Sequence, residues 1–263
     1  APNGWWAGGP CKAIASALLK KNTAAVIASD PHFLAIKLTS IERKNFRWTV
    51  DNRHVAKEAD VIFVAVKPIV VQQVLAEIKS HLKKNCLLIS VAAGVPLQKL
   101  HRWSGHKKII RVMPNLPAQV FHGVSVWKAG FSLNAKEKMT VEKLLASFGA
   151  AFQAKRETMI DAATALSGSG PAYVAAFLET LENFAMKNGF SKADAHAIAL
   201  QLLSGTAVYI EQTGIQFAEL KNAVQTKGGT TEAAFKVLNK KKWQEIFDKA
   251  LSAAFSRARE LSR

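Results

Sequence analysis

Apolar residues in the first 155 positions form short, nearly continuous runs that alternate with segments of helical spacing. Four runs are typical of strands buried on both faces: AAVIA (24–28), DVIFVAV (60–66), CLLISVA (86–92) and KIIRVM (108–113). Between two of them, residues 69–84 repeat apolar positions every three or four residues and end on basic residues, which predicts a helix. This alternation predicts an α/β domain with a parallel, doubly wound sheet over residues 1–155.

The pattern changes after residue 155. Residues 156–263 carry almost no strand signal, and long segments rich in Ala and Leu follow one another with helical spacing. Gly189 and Gly214 close two of these segments and are interpreted as helix ends. The second domain is therefore predicted to be all-helical.

Composition is ordinary for a globular chain of 263 residues, with 49% hydrophobic and 21% charged residues. No apolar run approaches the roughly 20 residues that span a bilayer, so no membrane association is expected. Two cysteines, Cys11 and Cys86, are too few for a disulfide framework, and they are interpreted as reduced thiols of a cytoplasmic protein.

Net charge is the unusual quantity. The chain has 36 Lys and Arg against 19 Asp and Glu, a formal charge of +17. Such an excess favours anionic ligands of every kind, from nucleotides to nucleic acid. Because the basic residues are scattered in pairs and short clusters, most are interpreted as solvated surface, and nucleic-acid binding is the less favoured interpretation.

Two turns follow predicted strands and are candidates for ligand contacts. In AVKP (65–68) and RVMPNLPA (111–118), the residues after the strand should face the cleft where ligands bind in open α/β sheets. Lys67 could approach a phosphate, and Asn115 between two prolines could offer its amide to the cleft. Taken alone, AVKP is equally compatible with a helix start at Pro68. Taken alone, RVMPNLPA is better interpreted as a structural crossover.

Two glycine-bearing stretches interrupt the helical half. TALSGSGPAY (164–173) places Gly and Ser where a helix would disfavour them, so close approach of another backbone or of a ligand is expected there. In QTKGGTTEAAF (225–235), a glycine pair precedes Thr230 and Thr231 at a predicted helix start, whose free N–H groups suit a carboxylate or phosphate. An ordinary N-cap after a loop is the alternative interpretation.

Strong acid–base machinery is absent from the sequence pattern. No Ser-His-Asp order, metal-ligand spacing or pair of catalytic carboxylates is evident, and no metal is expected. The seven histidines are scattered, and His81, His101 and His106 are interpreted as surface residues.

Together, ADVIFVAVKP, ISVAAGV, IIRVMPNLPA, TALSGSGPAY and ELKNAVQTKGGTTEAAF resemble the pyrroline-5-carboxylate reductase family in order and spacing. The resemblance covers nearly the whole chain and implies a Rossmann-like domain followed by a helical dimerisation domain. It also implies the last step of proline synthesis, in which NADPH or NADH reduces 1-pyrroline-5-carboxylate to L-proline. A cyclic imine that arrives protonated needs orientation and a carboxylate anchor more than acid–base catalysis, which agrees with the sparse machinery.

The resemblance assigns roles to individual residues. Those implied to contact the dinucleotide are Gly8, Asn52, Ala65, Val66, Lys67, Pro68, Ala92, Ala93 and Asn115. Those implied to bind the substrate are Ser167, Thr226, Gly228, Gly229, Thr230 and Thr231. Thr231, as the partner or proton source of the ring nitrogen, and Ser169 are the implied catalytic residues. The family further implies a homodimer, or a larger ring of dimers, with part of the active site contributed by the partner chain.

Departures from the family pattern lie at two turns and at the first glycine loop. Lys227 stands where the family usually has Pro, and Leu116 where it usually has Thr. In NGWWAGGPCKAI, Trp6 and Cys11 replace the first and third glycines of the phosphate loop, and Gly8 alone is kept. Two interpretations stay open: either residues 1–12 differ from the natural sequence, or the loop has an altered shape and binds the cofactor weakly.

Cofactor preference and substrate leave alternatives open. Asp30, which follows the run AAVIA, could accept from a ribose 2′-OH, which favours NADH. Alternatively, Lys20, Lys21 or Lys37 could reach a 2′-phosphate. One alternative function is a family-derived protein with an impaired dinucleotide loop that binds anions or nucleic acid through its basic surface. Another keeps the fold and reduces a different imino acid.

Overall fold

The computed structural model describes residues 9–20, 25–30, 43–130 and 133–262. The chain divides into two compact units: a sheet unit made of Ala1–Pro171 with Ala254–Arg263, and a helical unit made of Ala172–Ala253. The last turns of the chain therefore pack with the sheet. The domain boundary at residue 155 stays a prediction.

Strands of the sheet unit lie in two sheets. The parallel pair is β1 (Val26–Ser29) with β2 (Phe46–Thr49). The second sheet has the order of its strands along the chain: β3 (Val61–Val64), β4 (Leu87–Ser90), β5 (Ile109–Met113), β6 (Gly123–Ala129) and β7 (Gly149–Gln153). Strands β3, β4 and β5 are parallel, β6 is antiparallel to β5, and β7 is parallel to β6.

The four predicted strands are present as β1, β3, β4 and β5, whereas β2, β6 and β7 were not predicted. Strand β6 buries Gly123, Ser125, Trp127 and Ala129 at alternate positions, so its inward face lacks the branched aliphatic run used to recognise a strand. Its antiparallel direction departs from the all-parallel expectation, but the α/β class is confirmed.

Helices of the sheet unit cover both faces of the sheet. They are α1 (Gly9–Lys20), α2 (Asn52–Glu58), α3 (Val71–Ile78), α4 (Leu97–Ser104), α5 (Ala135–Ala146) and α6 (Thr158–Ala163). The helix predicted over 69–84 is shorter than expected, because 3₁₀ turns at Pro68–Val70 and Lys79–His81 flank α3. Pro68 begins the first of these turns, where its missing N–H is not needed.

Successive side chains of β4 pack alternately into two separate hydrophobic clusters, one on each face of the sheet. Leu87 and Ile89 pack with α1 and α5 on one face, while Leu88 packs with α3 and α4 on the other. Because both faces of the strand are buried, its apolar run is continuous. This two-faced core is the doubly wound arrangement predicted from the sequence.

His106 is buried at 9% exposure, which shows that its interpretation as a surface residue was wrong. Its Nε2 lies 2.7 Å from the carbonyl oxygen of Cys86, to which it donates, and 3.6 Å from the Cys86 sulfur. Burial raises the pKa of the Cys86 thiol, which favours the protonated form. The pair joins the start of β4 to the turn after α4.

The helical unit is built from most of α7 (Gly170–Lys187), α8 (Lys192–Thr213), α9 (Phe217–Val224), α10 (Thr230–Lys240) and most of α11 (Trp243–Leu261). Gly189 and Gly214 have φ values of 93° and 68° at the ends of α7 and α8, as predicted for helix-ending glycines. Nine large apolar side chains of this unit are 50–79% exposed in the single chain: Phe177, Phe184, Phe190, Leu202, Tyr209, Phe217, Val224, Val237 and Ile246. Such a surface is typical of a protein–protein interface.

Among the described glycines of the sheet unit, Gly149 is the most constrained. Its φ is 143°, and a Cβ added there would lie 2.0 Å from the carbonyl oxygen of Gly123 on β6. We expect Gly149→Ala to lower the free energy of unfolding by about 3 kcal/mol or more, because both backbone strain and a backbone clash oppose it. Gly105→Ala is the control: φ is 65°, but the nearest atom is the movable Lys79 Cε, so a loss of about 1 kcal/mol is expected. Urea-unfolding midpoints measure both, and equal losses would contradict the packing argument.

Candidate active site

Three loops leave the sheet at the same edge because β3, β4 and β5 are adjacent and parallel. The peptide N–H of Val91 donates to the carbonyl of Val64 at 3.2 Å, which aligns the ends of β3 and β4. The loops contain most of the residues predicted to contact the dinucleotide: Ala65, Val66, Lys67 and Pro68 after β3, Ala92 and Ala93 after β4, and Asn115 after β5. Ligands of open α/β sheets bind at this edge.

Lys67 is exposed in the loop after β3. Its carbonyl accepts from Val70 N–H in the 3₁₀ turn, which fixes the backbone while the side chain points outward. Within the described ranges its ammonium forms no ion pair, so it can meet an external anion such as a pyrophosphate.

Asn115 is 7% exposed, and its Oδ1 accepts from the peptide N–H of Val124 at 2.7 Å. The amide oxygen therefore ties the loop after β5 to the start of β6. The sequence predicts that the Asn115 side-chain amide faces the cleft, but the oxygen of this amide is used within the fold. The next residue, Leu116, opens the 3₁₀ turn Leu116–Val120 and is 46% exposed.

A cavity of about 480 Å³ is lined by β1 and β3 together with residues of α1 and α2. Of the predicted dinucleotide contacts, Asn52, Ala65 and Val66 line it, and Asp30 lines it as well. Asn52 sits at the start of α2 and donates its amide Nδ2 to Glu77 at 3.0 Å. The loop residues after β4 and β5 do not line this cavity.

Among the remaining residues predicted to lie near the phosphates of the dinucleotide, the structure describes only Lys20 on α1. Lys20 lies at the C-terminal end of α1 with its ammonium 5.0 Å from the ring centre of Phe121. This is a cation–π contact at the helix end opposite to the one that favours anions. Gly8, Lys21 and Lys37 lie outside the described residues.

The stretch TALSGSG forms a π-helical segment, Thr164–Gly168, between α6 and α7. A Cβ added to Gly168 would lie 2.7 Å from Met113 Cε at the end of β5. The atom that approaches this glycine therefore belongs to a methionine side chain, whereas the sequence predicts another backbone or a ligand there. The hydroxyls of Ser167 and Ser169 donate to the carbonyls of Ala163 and Thr164 at 3.0 and 3.2 Å. Each serine oxygen can accept a hydrogen bond, but its proton is already used.

A buried ionic cluster behind the loops was missed by the sequence analysis. Arg111 on β5 is 2% exposed and donates to Glu157 at 2.9 Å and to Asp161 at 2.8 Å. Glu157 also accepts from the peptide N–H of Leu97, the first residue of α4. An arginine inside the apolar run KIIRVM is the signal that could have identified the cluster, because a buried charge needs partners.

In the helical unit, the predicted substrate residues form the turn before α10. Gly228 has φ of 75°, and the peptide N–H of Gly229 donates to the Thr226 carbonyl at 3.0 Å. Thr230 and Thr231 then begin α10, as predicted. In the part of the chain that the structure describes, the Thr231 hydroxyl has no hydrogen-bond partner.

Glu232 modifies the expected anion site at this helix start. Its carboxylate accepts from the peptide N–H of Gly228 at 2.6 Å, so one of the donors predicted to be free is already occupied. The N–H groups of the first helical turn still favour negative charge there.

Comparisons with known proteins agree with this arrangement. Residues 157–261 match the model for pyrroline-5-carboxylate reductase dimerisation, and residues 7–94 match the model for NADP oxidoreductase, coenzyme F420-dependent. The pyrroline-5-carboxylate reductase of Arabidopsis thaliana is 40% identical over 212 residues, which is 81% of this chain and 76% of the relative. This chain belongs to the pyrroline-5-carboxylate reductase family.

Other family members support the assignment over the full length. Pyrroline-5-carboxylate reductase 3 of Bos taurus is 36% identical over 98% of this chain and 84% of its own. The solved structure of a pyrroline-5-carboxylate reductase from Coxiella burnetii has a TM-score of 0.87 at 33% identity, covering 96% of this chain and 95% of that one. The Plasmodium falciparum pyrroline carboxylate reductase with NADP bound has a TM-score of 0.84 at 28% identity, over 95% and 94% of the two chains.

Metal and membrane sites were also considered. Across the described ranges, no three His, Cys, Asp or Glu side chains are grouped so as to hold a metal ion. Over the same ranges, no helix combines the length and apolar character needed to cross a bilayer.

The buried bond of Asn115 can be tested separately from ligand binding. We expect Asn115→Ala to lower the free energy of unfolding by about 1–3 kcal/mol, because the Val124 N–H loses its acceptor. Asn85→Ala removes an exposed contact to Lys108 and should change stability by less than about 0.5 kcal/mol. Urea titrations measure both variants, and an Asn115→Ala midpoint equal to that of Asn85→Ala would show that the bond is unimportant.

Proposed function

We propose that this protein reduces 1-pyrroline-5-carboxylate to L-proline with a hydride from NADPH or NADH. The observation that carries the proposal is the meeting of the loops after β3, β4 and β5 at one sheet edge, in a chain 33–40% identical to named reductases over most of its length. In the reaction, hydride adds to the imine carbon, and the protonated nitrogen becomes the secondary amine of proline.

The residues at the sheet edge fit a dinucleotide. Small side chains at Ala65, Ala92 and Ala93 let backbone approach the cofactor, and Lys67 supplies a cation for the pyrophosphate. Asn52 contacts the nucleotide from the start of α2, and Asn115 borders the nicotinamide through its NH₂ group. When bound, the dinucleotide supplies the hydride, while the protein supplies position and excludes water.

Choice between the two dinucleotides rests on Asp30. This carboxylate follows β1 directly and suits a ribose 2′-OH better than a 2′-phosphate, which favours NADH. A ratio of kcat/KM for the two cofactors tests the preference, and a strong bias toward NADPH would contradict it.

The turn before α10 holds the substrate carboxylate. Peptide N–H groups of Thr230 and Thr231 lie at the α10 N-terminus, where partial positive charge favours an anion, whereas the Gly229 N–H is used by the Thr226 carbonyl. Thr226 lies against this turn, because a Cβ added to Gly229 would lie 2.5 Å from its hydroxyl oxygen. The Thr231 hydroxyl is the hydrogen-bond partner of the ring nitrogen. In the sheet unit, the hydroxyl oxygens of Ser167 and Ser169 can accept hydrogen bonds from a ligand.

Self-association accompanies this function. The helical unit lies within the residues that match the family's dimerisation model, and it exposes large apolar side chains in the single chain. We propose a homodimer that assembles further into a ring of dimers, and a cytoplasmic location consistent with the free thiol of Cys86. Sedimentation velocity measures the oligomer, and a monomer at micromolar concentration would contradict it.

Turnover is the decisive measurement. Purified protein with pyrroline-5-carboxylate should oxidise NADPH or NADH and yield proline, detected as product. No turnover with either cofactor, together with salt-sensitive binding to a polyanion, would favour the alternative of a basic anion-binding protein. Faster turnover with another cyclic imino acid would change the substrate but keep the chemistry.

Thr231 is the sharpest single-residue test. We expect Thr231→Val to lower kcat/KM for the imine by about tenfold or more, because an isosteric side chain removes the hydrogen bond to the ring nitrogen. Thr231→Ser should retain most activity. Thr140→Val removes a hydroxyl on α5, which belongs to the sheet unit and not to the helical unit that exposes apolar residues, and serves as the control with unchanged kinetics. Wild-type kinetics in Thr231→Val would rule out the assigned role.

A further inference from the structure

The last turn of α11 packs against the sheet unit at the buried ionic cluster. Ser262 donates its hydroxyl to Asp161 at 2.9 Å, and Arg111 donates to the same hydroxyl at 3.2 Å. Ala258, one turn earlier, is buried at 6% exposure. The hydroxyl of Ser262 therefore bridges two charged groups that have little access to water.

The same turn also touches the loop after β4. A Cβ added to Gly94 would lie 2.8 Å from the carbonyl oxygen of Leu261, and Gly94 has φ of 71°. Only glycine combines that left-handed conformation with such a close backbone approach. The C-terminal turn thus lies directly against the loop that contains Ala92 and Ala93.

The other end of this loop is held by the cluster itself. Leu97, which begins α4, donates its peptide N–H to Glu157 at 2.8 Å, and Glu157 is in turn fixed by Arg111. Residues 92–97 are therefore held at Gly94 by Leu261 and at Leu97 by Glu157. Arg111 links the two ends, because it donates to Glu157 on one side and, on the other, to Asp161 and to Ser262, the residue next to Leu261.

We propose that the C-terminal turn, through Ser262 and Leu261, is a positioning element for the nicotinamide-side loop of residues 92–97. This inference rests on the proposed function, because it assigns Ala92 and Ala93 to the cofactor. Ser262 touches neither cofactor nor substrate; it acts by holding Arg111 and Asp161 in the geometry that fixes the loop. Loosening the turn lets the loop sample conformations that do not bind the dinucleotide, which weakens apparent affinity.

Ser262→Ala is the test, with Ser256→Ala as the control at an exposed position of α11, the helix that precedes Ser262. The measurements use the reduced dinucleotide, NADH or NADPH, that the unmutated chain binds more tightly. We expect Ser262→Ala to raise the KM for this dinucleotide and its dissociation constant about fivefold with little change in kcat, and Ser262→Thr to restore both. The fluorescence of the bound dinucleotide gives the dissociation constant without turnover. Unchanged affinity in Ser262→Ala would overturn the inference.

Hydrogen exchange tests the loop directly and does not require catalysis. The amide of Leu97 and those of residues 92–95 should exchange about tenfold faster in Ser262→Ala than in the unmutated chain, and Ser256→Ala should leave them unchanged. Faster exchange spread over the whole sheet unit, with a lower unfolding midpoint, would indicate general destabilisation and contradict a positioning role. Unchanged exchange at residues 92–97 in Ser262→Ala would also contradict a positioning role.

Failure of the proposed reaction can be told apart from failure of the positioning role. If the unmutated chain binds NADPH but does not reduce the imine, the proposed substrate is wrong and the positioning role is still measured by affinity and exchange. If the unmutated chain does not bind either dinucleotide, the role of the loop in cofactor binding is wrong as well.

Discussion

The guanidinium of Arg111 is almost entirely removed from water, so its charge must be balanced inside the protein. Asp161 and Glu157 provide that balance from α6 and from the residue before it. Removing one partner of such a buried pair typically destabilises a protein by about 3–5 kcal/mol, because the remaining charge stays buried and uncompensated. The cluster therefore fixes β5, α6, the start of α4 and the last turn of the chain relative to one another.

This constraint connects packing to chemistry. Arg111 lies two residues before the end of β5, and the loop that follows contains Asn115. The segment held by Glu157 contains Ala92 and Ala93 at its start and Leu97 at its end. Two of the three loops at the candidate cofactor edge thus depend on one buried ionic cluster, and rigid support of this kind is what a hydride transfer requires.

The exposed apolar side chains of the helical unit and the net positive charge of the chain have different explanations. The exposed aromatic and aliphatic side chains of the helical unit belong to a region that matches a dimerisation family, so self-association accounts for them. The net charge of +17 raises the local concentration of anions, and a dinucleotide and a carboxylate substrate are both anionic. A basic surface is therefore compatible with the reductase and does not by itself require nucleic acid.

The sequence by itself determined the strands buried on both faces, the helix ends at Gly189 and Gly214, and the loops after β3, β4 and β5, because periodicity and glycine conformation are local properties. It did not predict β6, where small residues and Trp127 replace an aliphatic run, or the burial of His106. It also could not predict the use of the Asn115 oxygen by Val124, the occupation of Gly228 N–H by Glu232, or the contact of Ser262 with Arg111. The partners of Asn115 and Arg111 lie 9 to 151 positions away along the chain, so only the tertiary structure decided which polar groups are free for ligands and which hold the fold together.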